Sequence, residues 1–562
     1  MPDTKDTELT ALIELLESIA GNVRRLDEMP EGDRARLKTA ISRIAHPDRN
    51  VRRKLRREEL RAHRAARVRK TEASRHETGI RELRRRPVIN TPNYFLGPAA
   101  RDPLQDAAPA AGDGATTTEE LPHCYVCKRK YTVIHHFYDQ LCPDCAALNY
   151  AKRFELADLR GRVALITGGR VKIGYQAALK LLRSGARVIV TTRFPRDSAK
   201  RYASEADFAS WSDRLEIFGL DLRHTPSVEA FCHELLATHT RLDFIVNNAC
   251  QTVRRPPAFY AHMMENERAA LRDMPADIRK LLGAYEGLRG YHILPEGPAG
   301  ADGMRATAAD DPAQVRRLEN IAGLTHAAQL SQVALLPEDY AGSVSARTPA
   351  DKSRNRSDAG SATRGPAYSD LAGRDPQGGS ASDLFPRGRL DQDLQQIDLR
   401  GRNSWRLLLH EVSSVELLEV QLVNAVAPFI LNGRLKPLML RTPERDKHIV
   451  NVSAMEGQFY RNFKTTRHPH TNMAKAALNM MTRTSAADYF NDGIHMNSVD
   501  TGWITDEDPA EIAARKTAEH RFHPPLDSID GAARIVDPII NGFNTGAPVW
   551  GQFLKDYKAT EW

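Results

Sequence analysis

The chain has 562 residues, too many for one ordinary domain, and this length suggests roughly three or four units. Hydrophobic residues make up 41%, enough for a real core in part of the chain, while 27% charged residues imply that other parts are not packed. The net charge of +8 is concentrated between Arg34 and Arg86, so it characterises that segment and not the remainder.

In chain order, Leu9, Leu12, Ile13, Leu16, Ile19 and Val23 recur at helical spacing and predict an amphipathic helix over Glu8–Leu26. Pro30 interrupts it, and a second short helix is expected to reach Ile44. From Val51 to Arg86 the chain is Arg-rich with few apolar groups. It reads as a solvated helix or as a basic arm for an acidic protein or nucleic acid; the absence of aromatic residues argues against a stacking platform for single strands. Residues 1–95 are therefore taken as a helical, basic N-terminal region and 96–120 as a linker rich in Ala, Gly, Asp and Thr.

Residues 121–150 hold Cys124-x-x-Cys127 and Cys142-x-x-Cys145, with about 14 residues between the pairs. That spacing suits four thiolates around Zn²⁺ in a closed, structural site, with disulfides as the alternative. His123, His135 and His136 lie near enough in sequence to replace one ligand. Such units often bind proteins or nucleic acids. Cys232, on a predicted helix, reads as a buried hydrophobe. No stretch approaches the ~20 apolar residues of a membrane span, and the first residues, Met1-Pro2-Asp3-Thr4-Lys5-Asp6, lack the order of a signal peptide. The expectation is an intracellular, cytoplasmic protein without membrane contact; nothing separates cytoplasm from nucleus.

Strands then alternate with helices. Val163–Ile166 runs into Thr167-Gly168-Gly169-Arg170-Val171-Lys172-Ile173-Gly174, where a helix is expected to begin. Glycines let the backbone approach a pyrophosphate, and the helix N-terminus offers free N–H groups to it. Arg187–Thr192 is a second strand and ends at Arg193. Arginine there, where an acidic residue would receive the ribose hydroxyls of NAD, suits the 2′-phosphate of NADP, and Arg170 and Lys172 add positive charge on the same side. Leu215–Leu220 ends at Asp221-Leu222, and Leu242–Val246 ends at Asn247-Asn248-Ala249. Residues 251–394 then interrupt the alternation as an insertion far longer than the about 15 residues that compact domains tolerate in a loop. Phe259–Leu282 and Leu318–Leu336 read as helical, and Ser343–Gly388 as disordered. Residues 395–562 resume the pattern with Asn424 on a helix, the strand His448–Val452 ending at Ser453, Thr471-x-x-x-Lys475 at a helix start, and Asn497 to Thr505 after a further strand.

This set resembles the short-chain dehydrogenase/reductase family, over roughly Leu159–Ala249 and Gln421–Gly551, within the parts 159–250 and 395–562. The resemblance implies a Rossmann-type α/β fold, a doubly wound parallel sheet, carrying the insertion, the zinc unit and the basic N-terminal region. It also implies that Gly168, Ile173 and Gly174 line the pyrophosphate, with Thr167 in the same turn, and that Asp221 and Leu222 meet the adenine. Asn248 and Ala249 would lie along the nicotinamide-side ribose. Lys475 would bind ribose hydroxyls, Asn424 would hold a water, and Gly502, Ile504 and Thr505 would touch the nicotinamide amide. The insertion would lie over the substrate side, and a homodimer would form through helices near Val415–Leu431 and Met473–Tyr489.

The pattern departs from the family at its chemical end. The family's serine position is Ala454, with Ser453 before it, and its tyrosine position is Thr471, whose hydroxyl is too weak an acid to deliver a proton. Tyr460, from a lengthened loop, or His470 or His468 could supply the proton instead. Two readings follow: an atypical NADP-dependent oxidoreductase of unknown carbonyl or alcohol substrate, or an inactive NADP-binding scaffold or sensor whose zinc unit and basic arm recruit a protein or nucleic-acid partner.

Overall fold

The computed structural model describes residues 4–46, 49–85, 117–118, 121–289, 321–340, 381–391, 393, 395–461 and 464–562. The linker expected at 96–120, apart from Thr117 and Thr118, and most of the segment read as disordered lie outside them. The chain forms two units, Met1–Ser74 with Thr117–Glu120, and Arg75–Thr116 with Leu121–Trp562. The first holds helices α1 (Thr4–Gly21) and α2 (Glu31–Ala45) and nearly all of α3 (Arg49–His76), whose last turn carries the boundary.

The second unit opens with α4 (Gly79–Arg85) and the four-cysteine segment, whose second knuckle runs into α5 (Pro143–Phe154). Then comes the alternation: β1 (Val163–Thr167), α6 (Lys172–Arg183), β2 (Arg187–Thr192), α7 (Pro195–Ala203), β3 (Leu215–Gly219), α8 (Thr225–Thr238) and β4 (Phe244–Asn247). Helix α6 starts two residues earlier than Gly174. The strands are nearly continuous apolar runs because both sheet faces are covered by helices.

In the inserted region α9 (Pro257–Arg268), α10 (Ala276–Lys280) and α11 (Gly283–Leu288) replace the single expected helix over Phe259–Leu282. The helix expected over Leu318–Leu336 is broken into Ala322–Thr325 and Ala327–Leu330. After the insertion come α12 (Ser414–Met439), β5 (Lys447–Ser453), α13 (Pro469–Asn491), β6 (Ile494–Asp500), α14 (Ala510–His520), α15 (Ser528–Thr545), β7 (Phe553–Lys555) and β8 (Lys558–Thr560).

The eight strands lie in the order 3-2-1-4-5-6-7-8, all parallel except β8, which pairs antiparallel to β7. Strand order reverses between β1 and β4, so the carboxyl ends of these two strands flank the crevice where such sheets bind ligands. One core, with Leu165, Val190, Phe218, Phe231, Val246, Leu435 and Ile535 among its members, spans both sheet faces. Each fully buried side chain of this kind contributes roughly 1.5–3 kcal/mol.

Much of the insertion, 290–320 and 341–380, lies outside the described residues. Its described parts cover the β3 edge and the end of β2. The Ile217 N–H donates to the Leu281 carbonyl at 2.8 Å and the Asp221 N–H to the Gly323 carbonyl at 2.6 Å, which satisfies backbone groups that an edge strand leaves open. A side chain on Gly219 would begin 2.4 Å from the Tyr285 hydroxyl, so the ring packs directly on backbone there. Phe259, Tyr260, Met263 and Met264 of α9 pack with Phe194 and Phe385 in a cluster of their own.

Helix α12 differs from expectation in two ways. Among the described residues it is the one helix long and apolar enough, by length and composition, to cross a membrane, and 44% of its apolar window is buried inside the fold. It also widens into a π-turn over Leu422–Val426. Pro428 has no N–H to give the carbonyl of Asn424, four residues back, and the extra residue in the turn absorbs that loss.

Candidate functional site

A cavity of about 1210 Å³ runs along the carboxyl ends of the strands. Of the residues the family pattern assigns to the cofactor, all but Thr167 line it. Thr167 stands one layer back: its hydroxyl accepts the Ala249 N–H at 3.0 Å, which ties the end of β1 to the turn after β4.

At the phosphate end the turn is fixed by close approach. Gly168 has φ +70°, and a side chain on Gly174 would begin 2.3 Å from Asn248 Nδ2 and 2.4 Å from the Gly168 carbonyl. Glycine is the residue that fits both places. Asn248 Nδ2 donates to the Thr167 carbonyl at 3.0 Å. Lys172 adopts φ +54°, a left-handed conformation uncommon outside glycine. Burial disfavours its charge, but Glu507, Asp393 and Asp391 around it win and hold its pKa above the usual lysine value.

Arg193 is a cation open to the cavity at this end. It follows β2, donates from Nη2 to the Tyr260 hydroxyl at 2.8 Å, and has no carboxylate among the described residues in ion-pair reach. Burial opposes ionisation of Tyr260, yet Arg193, Arg255 and Arg170 outweigh it and lower its pKa below the ordinary tyrosine value. Positive charge is therefore concentrated where a 2′-phosphate would lie. Arg170, expected to share that role, is already engaged: Nη1 pairs with Asp197 at 2.7 Å and Nη2 donates to Gln395 Oε1 at 2.7 Å. Asp221, expected at the adenine, is held by Arg223 at 2.6 Å, and Arg223 also pairs with Glu419 at 2.9 Å. Those two side chains carry internal ion pairs before any ligand arrives.

At the other end β5 and β6 deliver the chemical groups. Their register pairs Ser453 with Asp500. Lys475, buried on α13, donates from Nζ to the Val452 carbonyl at 2.8 Å, which aims its ammonium at the cavity wall. Ser453 and Ala454 line the cavity, and Ser453 Oγ is buried without a hydrogen-bond partner. Asp500, unremarked in the sequence, lines it too. Burial raises its pKa, and Glu456 and Asp556 nearby add to this, while Lys555 and the Met455 N–H at 2.9 Å pull the other way. The Gly502 N–H bonds the second carboxylate oxygen at 3.1 Å, which fixes the start of the Gly502–Thr505 loop.

Four chemical candidates are corrected by the geometry. Tyr460 is 87% exposed and does not line the cavity. His470 is buried behind the wall, with Nε2 at 3.6 Å from Glu416. Thr471 is buried and absent from the lining, although it stands one turn before Lys475, which does line the cavity. Asn424 also stands behind the wall, its Oδ1 accepting the Gln251 N–H at 2.7 Å and its Nδ2 donating to the Gln251 carbonyl at 3.1 Å. His468 does line the cavity. It caps α13 at φ +42°, and its ring stacks on Trp405 at 3.8 Å and 8°. Nδ1 is buried without a hydrogen-bond partner. Burial pushes its pKa down to about 4.

The four cysteines come together, their ligand atoms within 4.8 Å of one another, and no histidine joins that group. Cys127 Sγ and Cys142 Sγ stand 3.6 Å apart. A tetrahedron of Zn–S bonds near ~2.3 Å places its sulfurs about 3.8 Å apart, so the set fits a closed zinc site. Tyr125 and Lys128 of the same segment line the large cavity, which nothing in the cysteine spacing announced.

Two family models match the chain: short chain dehydrogenase over residues 162–268 and enoyl-(acyl carrier protein) reductase over 403–527. An uncharacterised mimivirus protein of Acanthamoeba polyphaga mimivirus is 27% identical over 444 residues, 77% of this chain and 74% of that protein. Dehydrogenase/reductase SDR family member 13 of Bos taurus is 37% identical over 105 residues, 18% of this chain and 28% of its own length. Retinol dehydrogenase 14 of Mus musculus is 38% identical over 101 residues, covering 16% of this chain and 30% of that enzyme, so the chain spans about a third or less of these two named relatives. Among solved structures, the Pseudomonas aeruginosa RhlG/NADP active-site complex has a TM-score of 0.37 at 15% identity, over 71% of this chain and 95% of that one. A Burkholderia cenocepacia short chain dehydrogenase in complex with NADP has a TM-score of 0.37 at 14% identity, over 71% and 97%. The 3-2-1-4-5-6-7 parallel order, the glycine turn against Asn248, the Lys475 site and both family models converge: the chain belongs to the short-chain dehydrogenase/reductase family.

Proposed function

We propose that the chain is an NADP-dependent oxidoreductase that interconverts an alcohol and a carbonyl compound. The observation that carries this is one cavity lined at one end by Arg193, with no carboxylate partner among the described residues, and at the other by Lys475, Ser453 and the Gly502–Thr505 loop. Bound NADP(H) supplies or accepts the hydride. Arg193 with Tyr260 holds the 2′-phosphate, the backbone of Gly168–Gly174 meets the pyrophosphate, Lys475 bonds ribose hydroxyls, and Gly502, Ile504 and Thr505 orient the carboxamide.

The proton is assigned to His468. It caps α13 and lines the same cavity as Lys475, seven residues on. In the oxidising direction neutral His468 takes the hydroxyl proton at a ring nitrogen as hydride leaves the carbon; in reverse the imidazolium returns it to the forming alcohol. The lowered pKa keeps His468 neutral at pH 7, the form that accepts a proton, and makes it a weak base. Ser453 Oγ, without a partner, is available to the substrate oxygen. The four cysteines hold Zn²⁺ in a structural role. Exposed Leu418, Phe429, Met473 and Met480 on α12 and α13 support a homodimer through those helices.

A second reading, an NADP-binding scaffold without turnover, is favoured by Thr471, a non-acid at the tyrosine position. Its partner, a protein or nucleic acid, would meet the zinc unit or the basic helix α3. Calorimetric titration of the full chain with NADPH and NADH tests both. Micromolar NADPH with NADH at least tenfold weaker is expected; no NADPH binding at millimolar concentration sinks both readings. Turnover of a panel of alcohols with NADP⁺, lost in Lys475→Ala, separates the enzyme from the scaffold.

A further inference from the structure

The first cysteine turn reaches into the cavity through Tyr125 and Lys128. The Tyr125 hydroxyl accepts the Trp503 N–H at 2.9 Å, and a side chain on Gly502 would begin 3.5 Å from that oxygen. Trp503 sits in the loop assigned above to the nicotinamide side. Its next residue, Ile504, is not packed in the main core. It is buried with Leu526 among Phe137, Tyr138 and Leu141 of the cysteine segment, and Ile173 of the glycine turn packs against the same cluster.

Buried charges lock this contact from behind. Arg153 at the end of α5 pairs with Asp527 at 2.7 Å and Asp530 at 2.9 Å, both at the start of α15. Tyr138 donates its hydroxyl to Asp530. Arg534 donates to Asn149 Oδ1 at 2.7 Å and pairs with Asp556 at 3.1 Å. Ion networks buried this deeply hold one geometry, because shifting any member strands a charge. The turn itself depends on its ligands. Lys128, directly after Cys127, has φ +61°, and four thiols this close have no mutual attraction to keep them there without a cation.

We propose that the metal-bearing turn is a positioning element of the cofactor site: Tyr125 holds the 501–505 loop, and loss of the metal loosens it. The inference rests on the cofactor reading given above. Its physical content is one hydrogen bond and one shared apolar cluster, both outside the Arg193 end of the cavity. Through Tyr125 the coupling acts on the nicotinamide end, and through Ile173 the cluster borders the glycine turn, away from Arg193.

The test uses the full chain, metal-loaded and chelator-treated, together with metal-loaded Tyr125→Phe, which keeps the ring and removes the acceptor. Amide hydrogen exchange over 501–505 is measured without nucleotide, and affinity is measured for NADPH and for 2′,5′-ADP, which lacks the nicotinamide. Both treatments are expected to speed exchange in 501–505 and to weaken NADPH about 3- to 10-fold, the range for one hydrogen bond, with 2′,5′-ADP unchanged. Unchanged exchange at 501–505 in Tyr125→Phe overturns the coupling, even if chelation unfolds the chain. Equal loss of NADPH and 2′,5′-ADP in that variant also overturns it, since a general loss of structure would do the same. If wild type binds neither nucleotide while exchange responds, the cofactor reading fails and the loop coupling stands.

Discussion

Arg193 donates to the Tyr260 hydroxyl at 2.8 Å, joining the end of β2 to the first helix of the insertion. The insertion thus supplies a wall of the adenosine end, and the cation there is oriented by a neutral acceptor that leaves its charge free. Arg193→Ala is expected to weaken NADPH by about 100-fold, two charge-assisted hydrogen bonds, with NADH changed less than threefold. Tyr260→Phe keeps the charge and should cost about 3- to 10-fold in NADPH. Equal loss of both cofactors in Arg193→Ala would place the arginine outside the phosphate site.

His468 as proton acceptor predicts an acid limb for alcohol oxidation. The rate is flat near pH 7, where the imidazole is neutral, and falls as pH drops toward its lowered pKa of about 4. Removing the group should cost roughly 10²–10⁴ in turnover. His468→Gln is the variant of choice, because the amide still spans the stack on Trp405, and NADPH affinity should hold. Loss of turnover below tenfold would remove His468 from the chemistry.

Burial lowers the pKa of several histidines, His448 to about 3 and His135, His468 and His523 to about 4. In the unfolded chain they titrate near 6.5. Between about pH 6.5 and 4 the unfolded chain takes up protons that the native one refuses, so the stability these groups contribute is complete above pH 6.5 and is lost as pH falls. For fully buried His448 the slope is on the order of 1 kcal/mol per pH unit. Urea unfolding should show stability dropping from pH 7 to pH 5, more shallowly in His448→Leu. A midpoint that does not move over that range contradicts the burial of these rings in neutral form.

Arg153 is 4% exposed and faces two carboxylates. Arg153→Ala leaves Asp527 and Asp530 together in a buried site and should destabilise the second unit by roughly 3–5 kcal/mol in chemical denaturation. A cost under 1 kcal/mol would mean that water reaches this network.

Much of the site was legible before any coordinates. A glycine turn must approach backbone closely, so Gly168 and Gly174 announce themselves, and the strand ends at Arg193, Asn248 and Ser453 follow from apolar runs that a two-sided sheet requires. The four cysteines declare their grouping by spacing alone. Distances between remote segments were not legible. Tyr460 and His470 have the right chemistry and the right neighbourhood in sequence, but one projects into solvent and the other behind the wall, while His468 faces the cavity because the left-handed cap of α13 turns it there. Arg170 and Asp221 carry suitable charges, but their ion pairs with Asp197 and Arg223 form only in the folded chain. Nor does any local pattern say that Tyr125 will meet the backbone of Trp503. Local chemistry sets turns, strands and ligand clusters, because it depends on neighbours in the chain; which charges stay free, and which segments share a wall, depends on contacts across hundreds of residues that exist only once the sheet has closed around its core.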